Sequence, residues 1–310
     1  MTPLLIDTDT AADDAIALLL AFAEPSAEIV AITAVAGNCR VEQAVQNALY
    51  VAEVCGAAVP IYVGAARPLA GPLATAEMVH GADGMGDAGL PIGGRAPAAG
   101  DAIDVILEMA DRHAGALTLV MLGPLTNLAL ALARDPDLVD KIARCVVMGG
   151  TGDGVGNVTP VAEYNIWVDP EAARAVFTSG LPITMVGCDA SRRDAPFDDT
   201  DVAAWRALGT DRAALAIDAT AGLRRFVRSR RNTDVFDLPD PLAMAVALDA
   251  TLVTKAEFLN VAVEVRAEFS RGATVVDHRG LTGRPPNATV VRSVDQSRWR
   301  SRLTVALAAG

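Results

Sequence analysis

The chain has 310 residues, 52% of them hydrophobic and 21% charged, with a formal net charge of −12. That much apolar content can bury a core in one large α/β domain or two modest ones, and the acidic balance argues against nucleic acid or an anionic membrane surface as a partner. Cys39, Cys55, Cys145 and Cys188 show no CxxC or metal-ligand spacing, no charge-free apolar run reaches membrane-spanning length, and the N-terminus enters a strand without a basic or signal-like stretch, so a cytoplasmic protein with reduced core thiols is expected.

In chain order, Leu4-Leu5-Ile6 reads as a buried strand. Asp7, Asp9, Asp13 and Asp14 follow at once, ahead of an apolar helical run from Ile16 to Phe22. Asp13 and Asp14 fall in the first turn, where the helix favours anions. Carboxylates this close repel unless a cation neutralises them. A strand end, a tight loop and a helix start bring several oxygens to one place, which suits a hard divalent cation such as Ca²⁺ or Mg²⁺. The bland alternative is a capped helix after a polar turn; four aspartates around one turn favour the site. Glu28–Val35 is a second buried strand ending at Gly37-Asn38, Val41–Val54 a helix and Pro60–Val63 a short strand. Such alternation predicts right-handed crossovers and a parallel sheet. Asp9 and Asn38, both just past strand ends, then share the rim where ligands bind.

The stretch from Ala65 to Gly100 is rich in Gly, Pro and Ala and holds His80-Gly81-Ala82-Asp83-Gly84-Met85-Gly86; a loop of this length is functional or mobile. Asp101–His113 reads as a helix, Leu117–Leu122 as a strand, and Gly123-Pro124-Leu125-Thr126-Asn127 as an ordinary helix start. Ala143–Met148 is a strand running into Gly149-Gly150-Thr151-Gly152, which lacks the Lys of a phosphate-binding loop. Met148 reads as core or as an apolar wall. The loop Gly152–Val161, which holds Asn157, leads to Ala162-Glu163-Tyr164-Asn165-Ile166-Trp167-Val168-Asp169-Pro170. A helix through Phe177 and a strand at Pro182–Val186 follow. Two helical segments then lead into the basic run Arg224-Arg225-Phe226-Val227-Arg228-Ser229-Arg230-Arg231, read as a solvated helix face or a lid over a pocket. Leu238-Pro239-Asp240-Pro241 opens another helix, Val261–Val265, Ala273–Val276 and Ala288–Val294 read as strands of a peripheral sheet, and Gln296–Ala309 as the terminal helix.

The N-terminal pattern of a strand, Asp7-x-Asp9-x-x-x-Asp13-Asp14 and an Ala-rich helix closely resembles the signature of the nucleoside hydrolases, the ribohydrolases that cleave the N-glycosidic bond of nucleosides. The His80–Gly86 segment, the Asn157 to Asn165 block, Leu238–Ala245 and the Gly272–Asp277 run are also similar to that family, so the resemblance spans nearly the whole chain. It implies a single domain over residues 1–310: a mostly parallel, Rossmann-like open sheet with helices on both faces and a small peripheral strand region. It implies Ca²⁺ held by Asp9, Asp14, Asp240 and the backbone carbonyl of Leu122, and a water activated by the cation and by Asp9. Asp13, Asn38 and Asn165 would hold the 2′ and 3′ hydroxyls and Asn157 and Glu163 the 5′ end, with Met148 as a wall and His80 near the pocket. A homodimer or homotetramer acting on a small nucleoside is implied as well. One position departs from the pattern. Pro239 stands where the family has the His linked to protonation of the leaving base, which leaves His80, Arg231 and Asp237 as candidates, His80 as the one expected to titrate near neutral pH. Two rival readings remain: a Mg²⁺-dependent phosphohydrolase, whose Asp-x-Asp-x-Thr/Val motif fits less well because Ala11 takes the last position, and a non-catalytic ribose or nucleoside binder.

Overall fold

The computed structural model describes residues 1–309. Its first half alternates strictly: β1 (Thr2–Thr8), α1 (Ala12–Phe22), β2 (Ala27–Ala34), α2 (Val41–Val54), β3 (Ile61–Val63), then, beyond a short α3 (Glu77–His80), α4 (Ala102–Arg112), β4 (Leu117–Met121), α5 (Thr126–Arg134) and β5 (Ile142–Met148). There follow α6 (Tyr164–Val168), α7 (Pro170–Phe177), β6 (Ile183–Val186), α8 (Cys188–Asp194), β7 (Pro196–Phe197), α9 (Asp199–Leu208), α10 (Asp211–Ala219), α11 (Ala221–Arg231), β8 (Phe236–Asp237) and α12 (Pro239–Leu248). The chain closes with β9 (Val253–Leu259), β10 (Val261–Val263), β11 (Thr274–Val276), β12 (Ala288–Val294) and α13 (Gln296–Ala308).

Eight strands form the central sheet in the order β3-β2-β1-β4-β5-β6-β12-β9. All neighbours are parallel except the β12–β9 pair at one edge. Strands buried on both faces need apolar side chains throughout rather than alternation, and Leu4, Leu5 and Ile6 of β1 are accordingly all buried. One face packs on α1, α10, α12 and α13, the other on α4, α5 and α7. Strand order reverses between β1 and β4, so the crevice at their carboxyl ends is the topological switch point, where such sheets bind ligands. Asp9 and Leu122 leave the sheet there, and the Leu122 N–H still bonds the carbonyl of Asp7 at 2.8 Å.

One expectation is corrected. Ala288–Val294 is not peripheral: it lies parallel to β6 in the main sheet, with Ala288 opposite Ile183. Of the three strands expected there, β10 and β11 form a small separate antiparallel pair, and β7 and β8 form a second such pair. The edge strand β9 gives no sequence signal because both of its faces are largely exposed and it carries Lys255 and Glu257, the charges that protect an edge. The first helix begins at Ala12, which puts Asp13 and Asp14 in its first turn as expected.

Candidate active site

The loop from Thr8 to Asp14 is wired from within. The Thr8 hydroxyl donates to Asp14 Oδ1 at 2.6 Å, and the Ala11 N–H donates to Asp14 Oδ2 at 2.9 Å. Asp14 thereby caps its own helix. Asp9 turns the other way. Its Oδ2 accepts the Asn38 backbone N–H at 2.6 Å, past the end of β2. The fit admits no side chain at the neighbouring glycines: a Cβ at Gly37 would lie 2.1 Å from Asp9 Oδ2, and one at Gly123 3.0 Å from Asp9 Oδ1. Asp240, second residue of α12, comes in from the far end of the chain, its anion favoured by the helix start. Carboxylate oxygens of Asp13, Asp14 and Asp240 lie within 4.8 Å of one another, all buried.

Burying so many acids together disfavours their charged forms. Burial first, then the charge of Asp14, lifts Asp9 well above the usual carboxylate range. Burial and the charges of Asp13, Asp14 and Asp9 do the same to Asp240. Asp13 and Asp14 are each pushed up to about 6, in both cases by burial before any charge. One oxygen each of Asp9, Asp13 and Asp240 has no hydrogen-bond partner. Buried orphan oxygens are costly, and an all-oxygen donor set of this kind fits a hard divalent cation.

The remaining predicted residues surround this cluster. A cavity of about 660 Å³ is lined by Asp13, Asn38, His80, Met148, Asn157, Glu163, Asn165, Arg231, Asp237, Pro239 and Asp240, together with apolar side chains of α11. That volume lies within the range of small-molecule sites. Asn165 Nδ2 donates to the Leu122 carbonyl at 2.6 Å and lies 3.3 Å from the Met148 carbonyl, bridging the ends of β4 and β5. Glu163 caps α6, accepting from Asn165 N, Ile166 N and Gly150 N, yet burial pushes it up to about 7. Asn157 is exposed, and its side-chain oxygen accepts the Tyr164 N–H at 3.0 Å. Asp9 and Leu122 touch this space only through their neighbours.

Residues 4–301 match the family model described as inosine-uridine preferring nucleoside hydrolase. The chain belongs to that family of nucleoside hydrolases. It is thus an enzyme of the class that cleaves N-glycosidic bonds. It is 38% identical over 296 residues to the pyrimidine-specific ribonucleoside hydrolase RihA of Salmonella agona (strain SL483), covering 95% of this chain and 94% of that one. A plant nucleoside hydrolase, PpNRh1, superposes with a TM-score of 0.92 at 32% identity, covering 100% of this chain and 99% of that one. The purine-preferring ribonucleoside hydrolase of Gardnerella vaginalis gives 0.91 at 31%, with 99% and 98% covered.

Within this nucleoside hydrolase, Pro239 is the first residue of α12, where its fixed φ suits a helix start. It faces the cavity with neither an N–H nor a proton to give. His80 does not titrate near neutral pH as expected. Burial lowers it to about 4, against the pull of Asp14, so its ring is neutral and offers one N–H.

Sequence reading missed three supports. Tyr164 donates its hydroxyl toward the carbonyls of Gly37 and Ala74 at 2.9 and 2.7 Å, tying α6 to the Asn38 turn. The Thr8 hydroxyl holds Asp14. Asn127, read as an ordinary helix start, reaches Asp7 Oδ2 at 2.7 Å and the Ala34 carbonyl at 3.1 Å while accepting the Ala65 N–H at 2.8 Å. Asp7, also held by the Thr33 hydroxyl at 2.6 Å, is pushed up to about 7 by burial and lies behind Asp9 as a support. Asn127→Ala strands these groups, and a destabilisation of about 2–3 kcal/mol is expected from denaturant unfolding. A loss under ~0.5 kcal/mol would mean that the network is dispensable.

Proposed function

We propose that this chain hydrolyses ribonucleosides to ribose and free base, using a divalent cation, Ca²⁺, held by Asp9, Asp14, Asp240 and the Leu122 carbonyl. The observation that carries this reading is the set of buried carboxylates with orphan oxygens at the switch point. Asp13 lies among them as well as on the cavity wall, at the edge between cation and sugar. When bound, the cation supplies charge neutralisation and Lewis acidity toward the attacking water. Asp9 takes that water's proton on its free Oδ1. Asp13, Asn38 and Asn165 hold the 2′ and 3′ hydroxyls. Glu163 and Asn157 hold the 5′ end, and Met148 walls the sugar. The water attacks the anomeric carbon through an oxocarbenium-like transition state, as in O-glycoside hydrolysis. The reading also carries a cytoplasmic homodimer or homotetramer; among the described residues no helix is long and apolar enough to cross a membrane.

Incubation with a panel of nucleosides, assayed for free ribose, tests the function. Binding without ribose release would leave a nucleoside-binding protein instead. The relatives are named for opposite base preferences, so the panel includes both purine and pyrimidine nucleosides.

Pro239 and the neutral His80 also predict a bias toward leaving groups that need no proton. The kcat/KM for p-nitrophenyl riboside is expected to exceed those for inosine and uridine by about 10²-fold, the size of a missing general-acid contribution. Equal values would show that leaving-group protonation is intact.

A further inference from the structure

The peptide unit that joins Gly37 to Asn38 is gripped at both ends. Its N–H donates to Asp9 Oδ2 at 2.6 Å, and its carbonyl accepts the Tyr164 hydroxyl at 2.9 Å. A trans peptide is planar and points its N–H and carbonyl in opposite directions, so the hydroxyl and the carboxylate hold one rigid plate from opposite sides. The rest of the turn is engaged too. The Gly37 N–H bonds the Cys39 carbonyl at 3.0 Å, and the Asn38 carbonyl accepts the Ala76 N–H at 2.9 Å. Every backbone polar group of Gly37 and Asn38 thus has a partner, which leaves the Asn38 side chain for the cavity it lines. Tyr164 shares its one hydroxyl proton with the Ala74 carbonyl at 2.7 Å, so the same bridge ties the turn to the segment 74–80. The tyrosine is itself anchored. Its N–H bonds Asn157 Oδ1 at 3.0 Å, and its ring centroid lies 6.3 Å from that of Trp167.

We propose that Tyr164 is a positioning residue for the general base: its hydroxyl, acting through the Gly37–Asn38 peptide, sets the N–H that holds Asp9 Oδ2 and so aims the free Oδ1 at the attacking water. This rests on the hydrolase reading above and deepens it, since it needs Asp9 to be the base. The bond from Asn38 is the one that orients the carboxylate, because Asp9 Oδ1 has no partner. A hydroxyl on the carbonyl polarises the amide and makes its N–H a stronger donor. A donor to a carboxylate forms the shorter, stronger kind of hydrogen bond, in keeping with the 2.6 Å distance. The turn cannot drift toward Asp9 to compensate, since Gly37 already approaches so closely that a Cβ there would lie 2.1 Å from Oδ2. Tyr164 therefore acts on the reacting water only through Asn38 and Asp9.

Tyr164→Phe keeps the ring against Trp167 and removes only the bridge. Its kcat for the best nucleoside of the panel is expected to fall about tenfold, the lower end for loss of an orienting partner behind a working group. KM stays near wild type, because the side chains assigned to the sugar are untouched. In an Asp9→Asn background the amide oxygen still accepts from Asn38 but no base remains. There Tyr164→Phe should cost nothing further, since residues that act as one unit are not additive, whereas a merely loosened wall costs the same in both backgrounds. A readout free of turnover is the Asn38 amide proton in protein labelled with ¹⁵N at asparagine, its peak identified by its loss in Asn38→Asp. In the wild type it should lie downfield of the other asparagine backbone amides, and Tyr164→Phe should move it upfield. Thermal melting checks that the variants fold, and the wild-type spectrum tests the relay even where the phenylalanine variant does not. An unchanged kcat, an equal loss in the Asp9→Asn background, or an Asn38 amide without the downfield shift or unmoved by Tyr164→Phe overturns the inference and leaves the hydrolase reading standing. Asp9→Asn with near wild-type kcat removes the base assignment and the inference with it.

Discussion

Asp9→Ala is expected to lower kcat by at least about 10²–10⁴-fold, the usual contribution of a positioned general base, with a further loss because the same side chain is assigned to the cation. The structure supplies the geometric reason. The Asp9 carboxylate is fixed by the Asn38 N–H on one oxygen and walled by Gly37 and Gly123, which leaves Oδ1 free. Removing it also strands the Asn38 N–H, so the alanine variant mixes lost chemistry with a loosened turn. Asp9→Asn separates the two. The amide oxygen still accepts from Asn38 but cannot take a proton at neutral pH. Both variants are expected to be severely impaired, with the asparagine variant melting closer to wild type. Asp7→Ala should behave oppositely, costing more in stability than in turnover, since Asp7 bonds Thr33 and Asn127 behind the site. A folded Asp9→Asn enzyme with near wild-type kcat would remove Asp9 as the base.

The parts of the fold that could be read from residues are those where burial leaves a pattern. β1 and its neighbours are continuous apolar runs because helices cover both faces. β9 could not be read, since an exposed edge strand has no apolar period, and β12 was set apart from the sheet because its position beside β6 is a long-range pairing. In the site, the clustered aspartates announced themselves by mutual repulsion. Asn127 and Tyr164 did not, because each works across more than sixty residues, through hydrogen bonds that no local spacing encodes. The shift of His80 was also hidden: a histidine in a glycine-rich loop suggests exposure, but His80 is buried, with α11 packed closely against its backbone. Asp13 shows the limit of transferring roles one residue at a time. It stands with Asp14 and Asp240 in the carboxylate cluster as well as on the cavity wall, so one side chain borders both.

Exhaustive chelation is expected to abolish ribose release, and added Ca²⁺ to restore it. Without a cation, Asp13 and Asp14 are held at about 6, and Asp9 and Asp240 are likewise held well above the ordinary carboxylate range, because burial and mutual repulsion disfavour their charges. The sign of the pH dependence follows. An acid whose folded pKa exceeds its unfolded value of about 3.9 binds its proton more tightly in the fold, so the cation-free fold loses stability as pH rises from about 4 through 6 and beyond. A divalent cation competes for the same oxygens and removes that penalty. Calcium should therefore raise the melting temperature little at pH 5 and much more at pH 8, as chelated and reloaded samples compared by scanning calorimetry would reveal. Asp240→Asn, which removes one assigned ligand while keeping the shape, should shrink the shift at pH 8 and weaken reactivation. Full activity in a sample verified to be free of metal would refute the cation assignment, and a calcium shift independent of pH would place the ion away from these carboxylates.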